Sequence, residues 1–338
     1  MSRALDTAKS QQSNSGPTPP VISGKNLVIN GAFDIWQRAT STLHGANIFV
    51  TDRWRGDQGA GGGDYTTSRQ AVSTGEPFNY CARITRTSTT TTPSYFYTAL
   101  ESLNSSVAKG NYVTLSFYAR KGSGFSGVLV AHLYSGTGTD QGTPHGFTNL
   151  VDNSANINLT TSFQRFTVTT SSALSTATNQ LGVTFNTVNQ TGTPTNDYVE
   201  ITGVQLEIGQ SATSFSRSAG SIQAELAACE RYFQKTYDFA EAPGAATNNF
   251  IWTQIEGSET NRVLMNYRFV SRMRSAPTVV FYSPVSGTSG KVYNRATGAD
   301  RNVTTYNSSQ TGINYNTVDG TNAFGNVVLV SYTLNAEL

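Results

Sequence analysis

Residues 112–119 alternate without a break: Val113, Leu115, Phe117 and Ala119 fall on one side, Tyr112, Thr114, Ser116 and Tyr118 on the other. A period of two belongs to a β-strand with one face buried and the other turned outward. Residues 128–134, 163–168 and 181–185 behave likewise, and glycine- or asparagine-rich breaks at 136–146 and 186–197 separate them. Short strands at such spacing build a sandwich or jelly roll. The last strand of this block changes phase at Gly203. A β-bulge there would keep Val199, Ile201, Val204, Leu206 and Ile208 all facing inward.

Composition agrees with that reading. Charged residues are 13% of the chain, against roughly 25% in an average soluble domain. Thr, Ser, Asn and Gly take their place, and these residues compete for backbone hydrogen bonds or loosen a helix. The net charge of +2 with no basic stripe argues against a nucleic-acid partner. No apolar run of about 18 residues is present, so no membrane insertion is expected. Residues 1–20 lack the apolar core of a signal peptide, which makes synthesis in a cytoplasm the expectation. The two cysteines, Cys81 and Cys229, do not make a disulfide framework, and Cys229 reads as a small buried apolar residue.

The period changes again over residues 219–236. Ile222, Leu226, Cys229 and Phe233 fall on one stripe of a helix, Ser221 stands where an N-cap would, and Glu225 complements the helix dipole. Such a stripe either packs on its own β domains or lines a trimer axis. Beyond it, residues 250–255, 262–269, 278–282, 290–293 and 327–334 are strand candidates, while 297–322 reads as a long polar loop. The expected fold is therefore mostly β: a jelly-roll β-sandwich followed by a short helix and a second C-terminal β domain. The boundaries expected are an N-terminal arm at 1–25, the sandwich at 26–218, the helix at 219–236 and the C-terminal domain at 237–338.

Little in the sequence points to catalysis. His44, His132 and His145 are scattered and form no metal-spaced pair. The glycines at 59–63 precede no helix that could cradle a phosphate, and Val292 stands where a phosphate loop would need Ser or Thr. Carboxylates for glycoside hydrolysis would come from Asp52, Asp57, Asp64, Glu200 or Glu207, but no coiled repeat accompanies them. No catalytic residue, cofactor or metal is expected. Receptor contact is expected instead in the C-terminal region, where Tyr282, Tyr293, Asn294, Arg295, Tyr306 and Tyr315 lie on or near loops. Tyrosine offers a flat apolar face and a hydroxyl suited to sugar rings.

Four stretches carry a resemblance. They are Asn26-Leu27-Val28-Ile29-Asn30-Gly31-Ala32-Phe33-Asp34-Ile35-Trp36-Gln37-Arg38 with Thr51-Asp52-Arg53-Trp54, then Val204-Gln205-Leu206-Glu207-Ile208-Gly209, then Ala212-Thr213-Ser214-Phe215, then Cys229-Glu230-Arg231-Tyr232-Phe233. In this order they resemble phage and prophage virion proteins, mostly tail-fibre and receptor-binding components, whose central block is similar to carbohydrate-binding jelly rolls. The resemblance covers roughly residues 26–237. It implies a virion location and a homotrimer with Ile222, Leu226, Cys229 and Phe233 at its interface. It also implies an arm that docks on another virion protein through Arg3, Ala4, Leu5 and Ala8, and non-catalytic attachment to a host surface glycan. The alternative is a purely structural virion component, an adaptor or head decoration, that binds no receptor. In such jelly rolls an acid after the Asn-Gly-x-Phe turn often holds a hard cation. Asp34 stands there, but the partner position falls near Thr202, which is not acidic. Trp36, Arg53, Trp54 and Glu207 recur as framework of the resembled fold, and so are expected as a core ring pair with an arginine–carboxylate tie between first and last strands, in preference to a sugar-stacking platform.

Overall fold

The computed structural model describes residues 25–338 apart from 59–61, 73–76, 256–261, 264–266, 306–307, 314–315 and 319–324. Arg3, Ala4, Leu5 and Ala8 lie outside the described residues. The body contains strands β1 (Ser41–Leu43), β2 (Ile48–Thr51), β3 (Trp54–Asp57), β4 (Tyr65–Ala71), β5 (Tyr80–Arg86) and β6 (Ser94–Ala99). After a short helix α1 (Ser102–Ser105) come β7 (Val113–Lys121), β8 (Val128–Gly136), β9 (Val151–Ile157), β10 (Gln164–Thr169), β11 (Gln180–Val188) and β12 (Tyr198–Ile208). They form two antiparallel sheets, ordered β1-β4-β5-β12-β7-β10 and β2-β3-β6-β11-β8-β9. This is a jelly-roll β-sandwich. The alternating residues Leu115, Phe117, Leu129, Leu133, Val183 and Phe185 meet between the sheets. Trp54 anchors that core, stacked 4.8 Å from Phe96 and 6.1 Å from Phe185, with Phe33 tilted against it at 5.2 Å.

The expected bulge sits in β12, where the register shifts between Thr202 and Gln205. Gly203 has φ +59°, and a Cβ there would meet the Phe78 ring at 2.3 Å. Val199, Ile201, Val204 and Leu206 are all buried, but Ile208 leaves the core and is exposed. The Asn30-Gly31 turn is equally constrained. Asn30 adopts φ +58°, its amide donates to the carbonyls of Ile35 (2.9 Å) and Asp52 (3.0 Å), and its Oδ1 accepts from the Ile35 N–H. A side chain on Gly31 would meet the Val204 carbonyl oxygen at 2.0 Å, so this turn packs directly on the bulged strand.

Helix α2 spans Ile222–Glu230, shorter than the stripe implied. Ser221 caps it, accepting from the Ala224 N–H at 3.2 Å. Glu225 is buried and accepts from the backbone N–H groups of Asn30 (2.6 Å) and Ala219 (2.9 Å), which binds the helix to its own sandwich. Burial raises the Glu225 carboxyl above its ordinary value. Two of the expected oligomer contacts are corrected. Cys229 is buried within the chain, and Phe233 lies beyond the helix, buried at the start of a strand. Ile222 is exposed and Leu226 half-buried. Cys81 and Cys229 are both free and buried.

The C-terminal region adds β13 (Phe233–Lys235), β14 (Ile251–Gln254), β15 (Arg262–Val263), β16 (Tyr267–Arg268) and β17 (Thr278–Tyr282). It continues with β18 (Lys291–Asn294), β19 (Ala299–Thr305), β20 (Gly312–Ile313), β21 (Asn316–Val318) and β22 (Val327–Asn335). The last of these is the spine: one half pairs with β14 and β18, the other with β13 and β17. Phe281, Val292, Val328, Val330, Tyr332 and Leu334 form a second core. The polar stretch 297–322 is not all loop, since it contains β19, β20 and β21. The helix–strand boundary also falls earlier than expected, because pairing with β22 draws Phe233 into a sheet.

An arginine–carboxylate tie exists, but its acid is Glu337 rather than Glu207. Arg53 and Arg38 both bind Glu337, the second at 2.9 Å. Arg53 also donates to the Ala99 carbonyl at 2.8 Å and lies 3.6 Å over the Tyr232 ring, while Arg38 covers Phe233 at 3.8 Å. The tie thus joins the sandwich to the C-terminal segment. Glu207 is held elsewhere, by the Gln205 amide and by Thr213.

Asp52 lies beside this junction, fully buried and accepting from the Gln37 N–H (2.7 Å) and amide (2.8 Å). Burial raises its pKa from 3.8 to about 6, with Arg38 opposing the rise. The folded value is above the unfolded one. The stability it contributes is therefore fully present below about pH 4 and is lost as pH rises through about 6. In Asp52→Asn that decline is expected to flatten. Urea unfolding at a series of pH values checks this, and an unchanged slope would remove Asp52 as its source.

Candidate functional site

Strand β11 runs through the second sheet with β6 on one side and β8 on the other. Leu181, Val183 and Phe185 point into the core, so Gly182, Thr184 and Asn186 face outward. Register sets three rows across that face. Tyr97, Thr184, His132 and Ser154 stand in one, Tyr95, Asn186, Val130 and Asn156 in the next, and Ala99, Gly182, Tyr134 and Asp152 in the third.

The side chains in these rows form a polar floor between aromatic walls. Tyr95 and Tyr97 on β6 approach the His145 ring at 5.2 and 5.5 Å. On β8, His132 stacks on Tyr134 with centroids 5.0 Å apart, and its Nδ1 lies 3.0 Å from the Asp152 carboxylate. His145 comes from the loop between β8 and β9, seated by Pro144, which leaves room for no side chain at Gly182 (2.6 Å). Burial lowers the pKa of His145 and raises that of Tyr134.

Two acceptors in the middle have no partner among the described residues: Thr184 Oγ1 and Asn186 Oδ1. Thr184 is 0% exposed. A buried polar atom without a partner costs about 1–3 kcal/mol. The two atoms sit on one strand, between aromatic rings on the strands either side. Adjacent strands lie about 4.8 Å apart, so the floor from β6 to β8 is roughly 10 Å across. Tyr97 is buried and Tyr134 packs under Phe147, so the rings that can meet a flat apolar face are those of Tyr95, His132 and His145, with hydroxyl donors reaching the strand between them.

Four of the six C-terminal receptor candidates fall among the described residues. Tyr282 is half-buried on β17, edge-on to Tyr237 at 6.0 Å. Asn294 is a correction: it is 0% exposed, and its Oδ1 accepts from the N–H groups of Ala296 and Thr297, so it shapes a turn. Tyr293 is half-buried on β18, Arg295 is exposed just past its end, and Tyr306 and Tyr315 lie outside the described residues. Sequence reasoning missed Tyr95, His145, Thr184 and Asn186. The polar half of the alternation in β11 was their one local signal, and the strands flanking it come from distant parts of the chain.

The acidic candidates are occupied structurally. Asp34 accepts from Arg217 at 2.7 Å where a cation was conceivable, and Glu200 lies between Arg83 and Arg120. Asp64 takes the Gln58 amide and the Ser88 hydroxyl. Among the described residues no three His, Cys, Asp or Glu side chains gather as a metal site.

No family model matches the chain, and no curated protein matches it. Among solved structures it is similar to the enzymatically active domain of tailspike protein 4 of bacteriophage CBA120, at 15% identity and a TM-score of 0.36. That similarity spans 55% of this chain but only 22% of the tailspike chain. It is also similar to the CBM22-1 xylan-binding domain of Xyn10C from Paenibacillus barcinonensis (12% identity, TM-score 0.35, 56% of this chain and 98% of that one). A third is the family 11 carbohydrate-binding module from Clostridium thermocellum in complex with a β-1,3-1,4-mixed-linked tetrasaccharide (12% identity, TM-score 0.30, 52% and 99%).

Proposed function

We propose that the chain is a non-catalytic glycan-binding component of a virion fibre, and that it grips sugar on the outer face of its second sheet. The observation that carries the binding part is the pair of unpartnered acceptors, Thr184 Oγ1 and Asn186 Oδ1, set between the rings of Tyr95 and His145 on one side and His132 on the other. Sugar hydroxyls are donors that satisfy them, and pyranose faces fit the rings. The virion location, the homotrimer and docking through residues 1–25 rest on the sequence resemblance. Ile222 and Leu226 are the interface candidates still at or near the surface.

Thr184→Val provides the test. It keeps the shape and removes a hydroxyl that has no partner in the free protein, so stability is expected to stay level or rise slightly. Binding to host-surface glycan is expected to fall about tenfold, the equivalent of one hydrogen bond of about 1.4 kcal/mol. Isothermal calorimetry and thermal melts read the two effects. Unchanged affinity in Thr184→Val would move the binding site off this face. Absence of binding to any host glycan by the parent chain would favour the purely structural role.

A further inference from the structure

The C-terminal sheet carries a second surface. Trp252 on β14 stands opposite Leu329 on β22, which stands opposite Tyr293 on β18. Ile251, Val292, Val328 and Val330 pack into the core, so the residues alternating with them face out. Trp252 is 67% exposed, while Leu329 and Tyr293 are half-buried beside it. The row crosses three neighbouring strands, roughly 10 Å at the usual strand spacing.

Its borders are charged and polar. On β18 the side chains sharing Tyr293's side are Lys291 and, just past the strand end, Arg295. Lys291 reaches Asn302 across the ladder. Arg295 is exposed. The row's one carboxylate, Asp300 opposite Tyr293, accepts from the neutral Ser286 hydroxyl at 2.6 Å, so one acidic side chain stands against the two cations. Gln254 lies outward beyond Trp252. A standard protein interface buries about 800 Å² per partner around an apolar centre. Here the apolar strip is three side chains wide and meets cations at once, which fits a sugar ring better than a protein.

We propose that this strip is a second binding platform, independent of the sandwich face, for an anionic glycan that bears carboxylates. Trp252 and Tyr293 stack on the pyranose faces. Lys291 and Arg295 take the carboxylates by charge-assisted hydrogen bonds.

Fluorescence gives a direct readout, because Trp36 and Trp54 are 2% and 0% exposed and Trp252 alone of the three tryptophans is open to solvent. Acrylamide quenching of the full chain would be measured with polygalacturonate and with its fully methyl-esterified form, the same backbone without charge. The expected result is that polygalacturonate shields Trp252 and the ester does not. The double variant Lys291→Ala/Arg295→Ala is expected to weaken that binding by about tenfold or more. Thr184→Val is expected to leave it unchanged, which separates this platform from the sandwich face. Equal shielding by both polymers would overturn the anionic class, and shielding by neither would overturn the platform. Quenching that rises on dilution without polymer would assign the strip to a second copy of the chain instead.

Discussion

Arg53→Ala is expected to cost about 3–5 kcal/mol in a denaturant melt at neutral pH, the usual loss when one partner of a buried ion pair is removed. The side chains of Arg53 and Glu337 are 4% and 3% exposed. Truncating Arg53 leaves Glu337 with Arg38 alone, strips the Ala99 carbonyl of its donor and uncovers the Tyr232 ring. Much of the loss comes from leaving the buried Glu337 carboxylate with one arginine in place of two. The double variant Arg53→Ala/Glu337→Ala should therefore be less damaged than the sum of the two single variants. A loss under about 1 kcal/mol for the single change, typical of an exposed pair, would show that water reaches this junction.

Trp54→Ala should be comparably severe, about 3–5 kcal/mol, because a large ring leaves a cavity that its neighbours cannot fill. Phe33, Phe96 and Phe185 all rest on that ring. Phe185 lies on β11 between Thr184 and Asn186, so glycan affinity should fall along with stability. Trp54→Phe keeps most of the packing and removes an indole N–H that has no partner among the described residues. It should recover most of both. If Trp54→Ala melted within a few degrees of the parent chain, the stack would not be the keystone of this core.

The parts of the fold legible in the sequence are those where one residue and its near neighbours settle the outcome. The alternation in β7 and the phase change at Gly203 are local, and the structure follows them as far as Leu206. Ile208 departs at the last position of the strand, exposed although the residue opposite it, Val113, is buried. The helix ends short of its stripe for a different reason: Phe233 continues the stripe, but β22, made about a hundred residues later, recruits it as a strand. The same distance hid the partner of Arg53, for which Glu207 seemed the natural acid. The strands within 297–322 were hidden by their polarity, since β19 pairs with β18 on one side and β21 on the other and needs few apolar residues to stay paired. The sandwich face could not be assembled beforehand, because Tyr95, His132, His145 and Asn186 meet only once β6, β8 and β11 are side by side.

The spine strand also sets a timetable for synthesis. Chains fold from the N-terminus as they emerge. The sandwich has every strand it needs once β12 is complete at Ile208, well before the rest is translated. The C-terminal sheet has no such early closure, since β13, β14, β17 and β18 all wait for residues 327–335 to pair with them. Glu337, which clasps Arg38 and Arg53, follows still later. A ribosome that stalls before residue 327 therefore leaves a finished sandwich trailing four strands with open edges, the kind of surface that recruits neighbouring nascent chains.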